Sequence, residues 1–178
     1  IAATDIRSNA EIQAHDIANN LKNKMGAVNS NLVLLSSVPA IQNQDLETSK
    51  KLFSDAQEST NDITSSYFLV DKNGKLLWAN AFENQTIYQQ YAGGDRSFRP
   101  YFTEPRDTLR PFFSALIESV DQVPRLYIAH PIILDNSENI SNNNSNFNGV
   151  VVSAIDVKQL GQFVQSQLSP KFESTFRM

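Results

Sequence analysis

The chain contains no cysteine and only two histidines among its 178 residues. Without cysteine, a disulfide scaffold, a thiol nucleophile and a zinc site built on sulfur are all excluded. His15 and His130 lie far apart in the sequence, so a histidine-rich metal site is not indicated either. We therefore expect the chain to hold neither a metal nor a cofactor.

Basic residues are too few and too scattered for a nucleic-acid-binding protein. The 15 Lys and Arg residues are outnumbered by 19 Asp and Glu residues, and the formal net charge is -4. No basic cluster is present that would neutralise a run of phosphates, so we expect no nucleic-acid partner. The sequence also lacks any motif of the G-x-S-x-G, Walker or H-E-x-x-H type, and we expect no enzymatic activity.

Long hydrophobic runs are missing as well. No stretch approaches the roughly 20 consecutive apolar residues that cross a bilayer, although 40% of the residues are hydrophobic and supply a core. The chain begins with Ile1 rather than Met, and we therefore expect it to be a segment of a longer protein whose flanks carry any membrane spans.

Apolar and small side chains recur every three or four residues over the first 35 positions, which predicts one continuous helix over residues 1–37. At 1.5 Å per residue this helix is on the order of 50 Å long. Two uses of its apolar stripe stay open: packing on the domain's own core, or contact of its N-terminal half with a second copy or a membrane-proximal partner. The stripe consists of Ile6, Ala10, Ala14, Ile17, Leu21, Met25, Val28, Leu32 and Leu35.

The period changes after a second predicted helix at residues 45–59. Residues 66–70 and 75–80 are short apolar runs that flank Asn73-Gly74, the strongest short-range hairpin signal, and they predict two antiparallel strands. A loop with short helices follows at residues 88–111. Further strands are predicted at residues 112–119, 125–134 and 149–156, then a helix at 157–168, with an exposed insertion rich in Asn and Ser at 136–148.

The predicted fold class is therefore α+β: a long N-terminal helix followed by a five-stranded antiparallel sheet flanked by helices. We divide the chain into an N-terminal helical segment at residues 1–60, a ligand-binding domain at residues 61–170, and a C-terminal tail at residues 171–178 that leads toward the membrane or the next module.

Arginines and aromatic side chains are concentrated between residues 93 and 113. An arginine among aromatic rings offers a forked cation to a carboxylate or phosphate, while the rings exclude water. The alternative is that Arg99 pairs with Asp95 or Glu104 and the rings fill the core. The cluster comprises residues 93–102 together with Arg106, Arg110, Phe112 and Phe113.

Four segments in this order resemble the Cache family of extracytoplasmic sensor domains, which have a PAS-like fold: YFLVDKNGKLLWAN, DRSFRPYF, LYIAHPIIL and GVVVSAIDVKQLGQF. The resemblance covers residues 65–163, and the long N-terminal helix matches the membrane-emerging helix of that family. It implies a domain on the extracellular or periplasmic side of the membrane that binds a small molecule. It also implies attachment to a histidine kinase, a chemoreceptor or another signalling output.

The resemblance also implies a set of ligand-binding residues. By motif, Arg99 would bind a carboxylate, Tyr101 and Phe102 would form an aromatic wall, and Asp156 would receive an ammonium group. This sequence departs from the amino-acid-binding subset of the family, which has a tyrosine in place of Gly94 and a tryptophan in place of Tyr101. For Asp156 the alternative of a helix N-cap stays open.

Two further residues complete the predicted site. Asp95 belongs to the same loop, and Tyr127 lies on a predicted strand three residues before His130. Side chains three apart on a regular strand point to opposite faces, so only one of this pair faces the pocket. We expect this to be Tyr127, with His130 on the surface or satisfied within the core.

We therefore predict a sensor domain for a small anionic or zwitterionic ligand such as an amino acid or carboxylate. Membrane attachment would come from flanking segments outside this chain, and the N-terminal helix offers a surface for a homodimer. Two alternatives stay open: a structural or dimerisation module that has a self-filled pocket and binds a partner protein, and a cytoplasmic PAS-type domain with a cofactor.

Overall fold

The computed structural model describes residues 2–134 and 146–168. The helices are α1 (Ala2–Ser37), α2 (Pro39–Gln42), α3 (Leu46–Thr60), α4 (Gln85–Tyr91), α5 (Pro100–Thr108) and α6 (Val157–Leu168), with a 3-10 helix at Asn80–Glu83. The strands are β1 (Thr64–Asp71), β2 (Leu76–Ala79), β3 (Phe112–Phe113), β4 (Ile117–Glu118), β5 (Pro124–Ile133) and β6 (Phe147–Asp156). Most of the insertion predicted at residues 136–148, and the whole tail at 171–178, lie outside the described residues.

All strand pairs in the sheet are antiparallel. The order is β2-β1-β6-β5-β3, and β4 pairs with the same strand as β3, namely β5. The sheet therefore has five strand positions between its helices, which confirms the predicted α+β class. No helix in the described ranges combines the length and the hydropathy needed to cross a bilayer.

The prediction of a single strand at residues 112–119 is wrong in one respect, because this segment is split into the two-residue strands β3 and β4. The ladder is interrupted where the Ser114 hydroxyl accepts a hydrogen bond from the Tyr127 backbone N–H at 2.7 Å. Three residues of this segment then face two of β5 before pairing resumes at Ile117 and Arg125. This is a β-bulge, a feature that alternation in the sequence does not reveal.

Alternate residues of the three long strands separate two apolar cores, one on each face of the sheet. One face of the sheet packs against α1, α3 and α6. Its fully buried side chains include Leu32 of α1, Phe53 of α3, Leu69 of β1 and Ile155 of β6. The opposite face packs against α4, α5 and the 3-10 helix and contains Phe68, Phe82, Tyr101, Phe102, Tyr127 and Val152. The predicted opposite orientation of Tyr127 and His130 is confirmed.

Polar contacts attach the long helix α1 to the sheet and to the last helix. The ring Nε2 of His130 on β5 is 2.9 Å from Oδ1 of Asn29. The Asn31 amide donates to the Tyr67 hydroxyl of β1 at 3.3 Å. Nearer the N-terminus, the Asn20 amide donates to Gln167 of α6 at 3.1 Å. This part of α1 therefore packs on its own domain, while Ile12, Val33 and Leu34 of the same helix are exposed.

Stability should depend on pH through His130, because burial lowers the pKa of this imidazole below its ordinary value of 6.5. The unfolded chain takes up a proton near pH 6.5, whereas the folded protein keeps the ring neutral to lower pH. The stability contribution is therefore present above pH 6.5 and is lost as the pH falls toward the folded-state pKa. In urea titrations between about pH 7.5 and 5.5, His130→Gln should reduce this dependence. His15→Gln changes an exposed residue and should retain the pH dependence. Equal slopes of the free energy of unfolding against pH in the two variants would contradict the role of His130.

Candidate ligand-binding site

A cavity of about 380 Å³ opens on the sheet face opposite α1. It lies between the strands, the segment from the 3-10 helix to α4, the start of α5 and the turn between β4 and β5. The apolar part of the lining includes Phe68, Leu76, Ala79, Phe82, Ile87 and Val120, and the polar part includes Ser65, Ser66, Gln90, Arg96, Arg99, Ser119, Asp121 and Arg125.

Three aromatic rings form a packed wall of the cavity. The centroids of Tyr101 and Tyr127 are 4.8 Å apart, and Phe68 meets the Tyr101 ring edge-on at 5.5 Å. Burial raises the pKa of the Tyr101 hydroxyl, so it is a neutral O–H donor at physiological pH. The wall therefore offers apolar ring faces and an uncharged phenol to a bound molecule.

Arg96 is the most deeply buried charged side chain of the lining, with 8% of its surface exposed. Its Nη1 donates to its neighbour's carbonyl, the Asp95 oxygen, at 2.9 Å. Its backbone N–H donates to Gly74 of the Asn-Gly hairpin at 2.6 Å, which fixes the loop against β2. Among the described residues, no carboxylate lies within 4.0 Å of the Arg96 guanidinium. A buried cation without a counter-ion carries a desolvation cost that an anionic ligand would offset.

Arg99 places a second guanidinium on the cavity. It occupies the N-cap of α5, directly before Pro100, and Nη1 donates to the Glu118 carbonyl at 2.9 Å. Nε of Arg99 is buried and has no hydrogen-bond partner among the described residues. The guanidinium lies 5.2 Å from the centroid of the Phe98 ring. The alternative pairing of Arg99 with Asp95 or Glu104 is absent among the described contacts, so this cation too lacks a carboxylate.

A third arginine is paired. The Arg125 guanidinium donates two hydrogen bonds to the Asp121 carboxylate, at 2.6 and 2.8 Å. Arg125 lowers the pKa of Asp121 to about 2, so the carboxylate is ionised at neutral pH. The lining thus contains three arginines and one aspartate, a formal charge of +2. Its electrostatics favour an anion.

Three of the predicted site residues, Arg99, Tyr101 and Tyr127, line the cavity together. Phe102 does not line it, because neighbouring side chains on a helix diverge by about 100° and Tyr101 takes the orientation toward the cavity. Phe102 instead meets Phe147 at 5.8 Å between ring centroids.

The two predicted acidic residues also lie outside the lining. The Asp156 carboxylate accepts hydrogen bonds from the backbone N–H groups of Lys158 and Gln159 at 2.7 and 3.2 Å. It therefore takes the N-cap role at the start of α6 that the sequence left open. Asp95 is exposed, and its carboxylate accepts the Ser97 N–H at 2.8 Å, which lowers its pKa. The acid that does line the cavity is Asp121.

Sequence reasoning missed Arg96, Arg125 and Asp121. Arg125 had a usable signal, since it alternates with Tyr127 on β5 and therefore shares its face. Arg96 stood in the arginine and aromatic cluster, but nothing in the sequence distinguished its burial from that of Arg99. Asp121 reaches Arg125 only through the turn between β4 and β5, which residue patterns do not predict.

The geometry also explains the glycine at position 94. A Cβ at Gly94 would lie 2.7 Å from Nη1 of Arg96 and 3.0 Å from the Tyr91 carbonyl oxygen. The Arg96 guanidinium therefore occupies the space beside position 94, where a larger residue such as tyrosine would displace it.

Comparisons with solved structures find the same fold in an extracellular ligand-binding receptor and in a histidine kinase sensor domain. The chain is similar to an extracellular ligand-binding receptor from Desulfohalobium retbaense, with a TM-score of 0.65 and 13% identity over 88% of this chain and 26% of that one. It is also similar to the sensor domain of the V. cholerae histidine kinase DctB, with a TM-score of 0.62 and 15% identity over 93% of this chain and 61% of that one.

The chain therefore has the fold of these sensor domains and spans less than two thirds of either neighbour's length. At the level of fold, the neighbours confirm the PAS-like architecture that the resemblance to the Cache family implies. No family model and no curated protein matches the chain. Within residues 2–134 and 146–168, no group of three His, Asp or Glu side chains is arranged to hold a metal ion.

The two kinds of arginine in the cavity should differ in their effect on stability. In Arg96→Met, a buried cation without a carboxylate partner is removed, so the free energy of unfolding should change by less than about 1 kcal/mol. In Arg125→Met, Asp121 loses its two charged hydrogen bonds, and the free energy of unfolding should fall by about 1–2 kcal/mol. This range is lower than for a fully buried pair because both side chains are partly exposed to solvent. Urea denaturation of both variants measures the difference. Equal losses would show that Arg96 serves the fold rather than a ligand.

Proposed function

We propose that this chain is an extracytoplasmic sensor domain of a transmembrane receptor and that its cavity binds a small anionic or zwitterionic molecule, such as a carboxylate or an amino acid. The observation that carries the proposal is the buried Arg96 guanidinium, which lines the cavity without a carboxylate partner among the described residues. Together with Arg99 it offers charge-assisted hydrogen bonds to an anion, and such bonds are stronger where water is excluded.

The size and shape of the cavity support a small ligand. About 380 Å³ lies near the lower end of the range of roughly 300–1,000 Å³ typical of small-molecule sites. The walls are mostly apolar with polar groups set among them, which is the usual composition of such sites. An open cavity of this size favours ligand binding over a pocket filled by the protein's own side chains.

The fold neighbours support the cellular context. One is an extracellular ligand-binding receptor and another is the sensor domain of a histidine kinase. By this likeness the chain would lie outside the membrane, with the membrane spans and the output domain in flanking segments. The domain itself would have no catalytic role.

Signalling would proceed by a shift in population between arrangements of the cavity wall. A ligand held by Arg96 and Arg99 contacts two segments that β2 and α5 anchor, so it stabilises the arrangement that brings them together. The sheet transmits this bias to α1 through the contacts of His130 and Tyr67 with Asn29 and Asn31. In this proposal α1 carries the change toward the membrane, and its exposed apolar side chains form the surface of a homodimer.

A thermal-shift panel of amino acids, small carboxylates, polyamines and nucleobases tests the ligand class. A native-state binder at 100 times its Kd stabilises the protein by about 2.7 kcal/mol, which is readily seen as a higher Tm. We expect an anionic or zwitterionic compound to shift the wild type and to shift Arg96→Met and Arg99→Ala far less.

The matched control for this panel is Arg110→Ala, because Arg110 is an exposed arginine of the same sequence cluster that does not line the cavity. It should respond like the wild type. If no compound shifts the wild type, or if the three variants respond equally, the arginine site does not bind the ligand.

A further inference from the structure

The hairpin formed by β4, β5 and their turn at residues 117–125 is one wall of the cavity. The turn itself contributes Ser119, Val120 and Asp121 to the lining. Strand β4 is joined to β5 by two residue pairs, Ile117 with Arg125 and Glu118 with Pro124, and the Ser119 N–H donates to the Val123 carbonyl at 3.0 Å. Gln122 in the turn has a φ of 62°, in the left-handed region that non-glycine residues seldom adopt. The β4 side of the wall therefore has few backbone contacts, whereas the β5 side is paired with β6 from Arg125 onward.

Two arginines of the binding site hold this hairpin in place. Arg99 donates to the Glu118 carbonyl at 2.9 Å from the start of α5. Arg125 holds the Asp121 carboxylate by two hydrogen bonds of 2.6 and 2.8 Å. The position of the wall is thus set by the same cations that face the cavity.

The Asp121 carboxylate has the geometry that a ligand carboxylate would adopt on an arginine, with both oxygens paired to one guanidinium. The carboxylate also accepts a hydrogen bond from the Val123 backbone N–H at 3.2 Å, and the Ser119 hydroxyl is a further hydrogen-bonding group for it within the same turn. Asp121 therefore occupies Arg125 in the way an external anion would, but it belongs to the turn that forms the cavity wall.

We propose that Asp121 is an internal competitor for Arg125, and that an anion entering the site displaces it and releases the hairpin. The inference rests on the proposed function. It adds that Asp121 sets the affinity of the site for an anion and couples binding of the anion to the position of the hairpin. The entering anion, held by Arg96 and Arg99, then also takes the place of the Asp121 carboxylate on Arg125. The Arg125 guanidinium stays paired, while the hairpin loses one of its two arginine contacts and keeps the one from Arg99 to the Glu118 carbonyl. The turn therefore reports whether the site is filled.

The test compares Asp121→Asn with Glu118→Gln. Both changes remove one negative charge from the same hairpin at constant size, but Glu118 has an exposed side chain and does not line the cavity. Acetate, the simplest carboxylate, is the probe and is titrated at constant ionic strength. Binding is followed by thermal shift, and the wall by hydrogen exchange of the amides at residues 119–123.

In the absence of acetate, Asp121→Asn should increase exchange at residues 119–123, whereas Glu118→Gln should match the wild type. Asp121→Asn should bind acetate at least about tenfold more tightly than Glu118→Gln, because Arg125 is then free of a competing charge. Acetate should increase hairpin exchange in the wild type and leave it unchanged in Asp121→Asn.

Equal exchange in the two ligand-free variants would overturn the inference, as would equal acetate affinity or acetate-induced protection of the wild-type hairpin. An Asp121→Asn variant that binds no acetate would overturn it too. The proposed function fails on a different result, namely a compound panel without any shift that depends on Arg96 and Arg99.

Discussion

The alternation of side chains along β1, β5 and β6 is the constraint on which the rest of the structure depends. Each of these strands is buried on both faces, so consecutive residues belong to different cores. Tyr67 lies under α1 while Phe68 borders the cavity, and His130 lies under α1 while Tyr127 borders the cavity. One set of strands therefore joins the cavity side of the domain to the long helix. A shift of one residue in register would exchange the side chains that face the cavity with those that face α1.

Much of the fold could be predicted from the sequence because its signals are local. The three- and four-residue spacing specified α1, and Asn73-Gly74 specified the hairpin, where Gly74 has a φ of 84° that favours glycine. The predicted helix at 45–59 agrees with α3 to within a residue, since Asp45 accepts the Thr48 N–H as an N-cap. The split of the strand at residues 112–119 was not predictable, because it depends on a hydrogen bond from β5 to the Ser114 side chain.

The site was harder to predict because its chemistry depends on burial and on distant pairings. Composition placed the arginines and rings in one cluster, and Arg99, Tyr101 and Tyr127 do line one cavity. Nothing local distinguishes Arg96, which is buried without a carboxylate partner in the described chain, from Arg106, which pairs with Asp107 on the surface. Likewise, only the tertiary structure shows that Asp156 caps a helix while Asp121 contacts Arg125.

The central claim is that Arg96 and Arg99 together hold an anionic group inside this cavity. A crystal structure of the domain with the most stabilising compound of the panel tests it most directly. The account predicts ligand oxygens about 2.7–2.9 Å from guanidinium nitrogens of both arginines, with the ligand against Tyr101 and Tyr127. A ligand bound elsewhere, or one in the cavity that leaves Arg96 without an anionic contact, would contradict it.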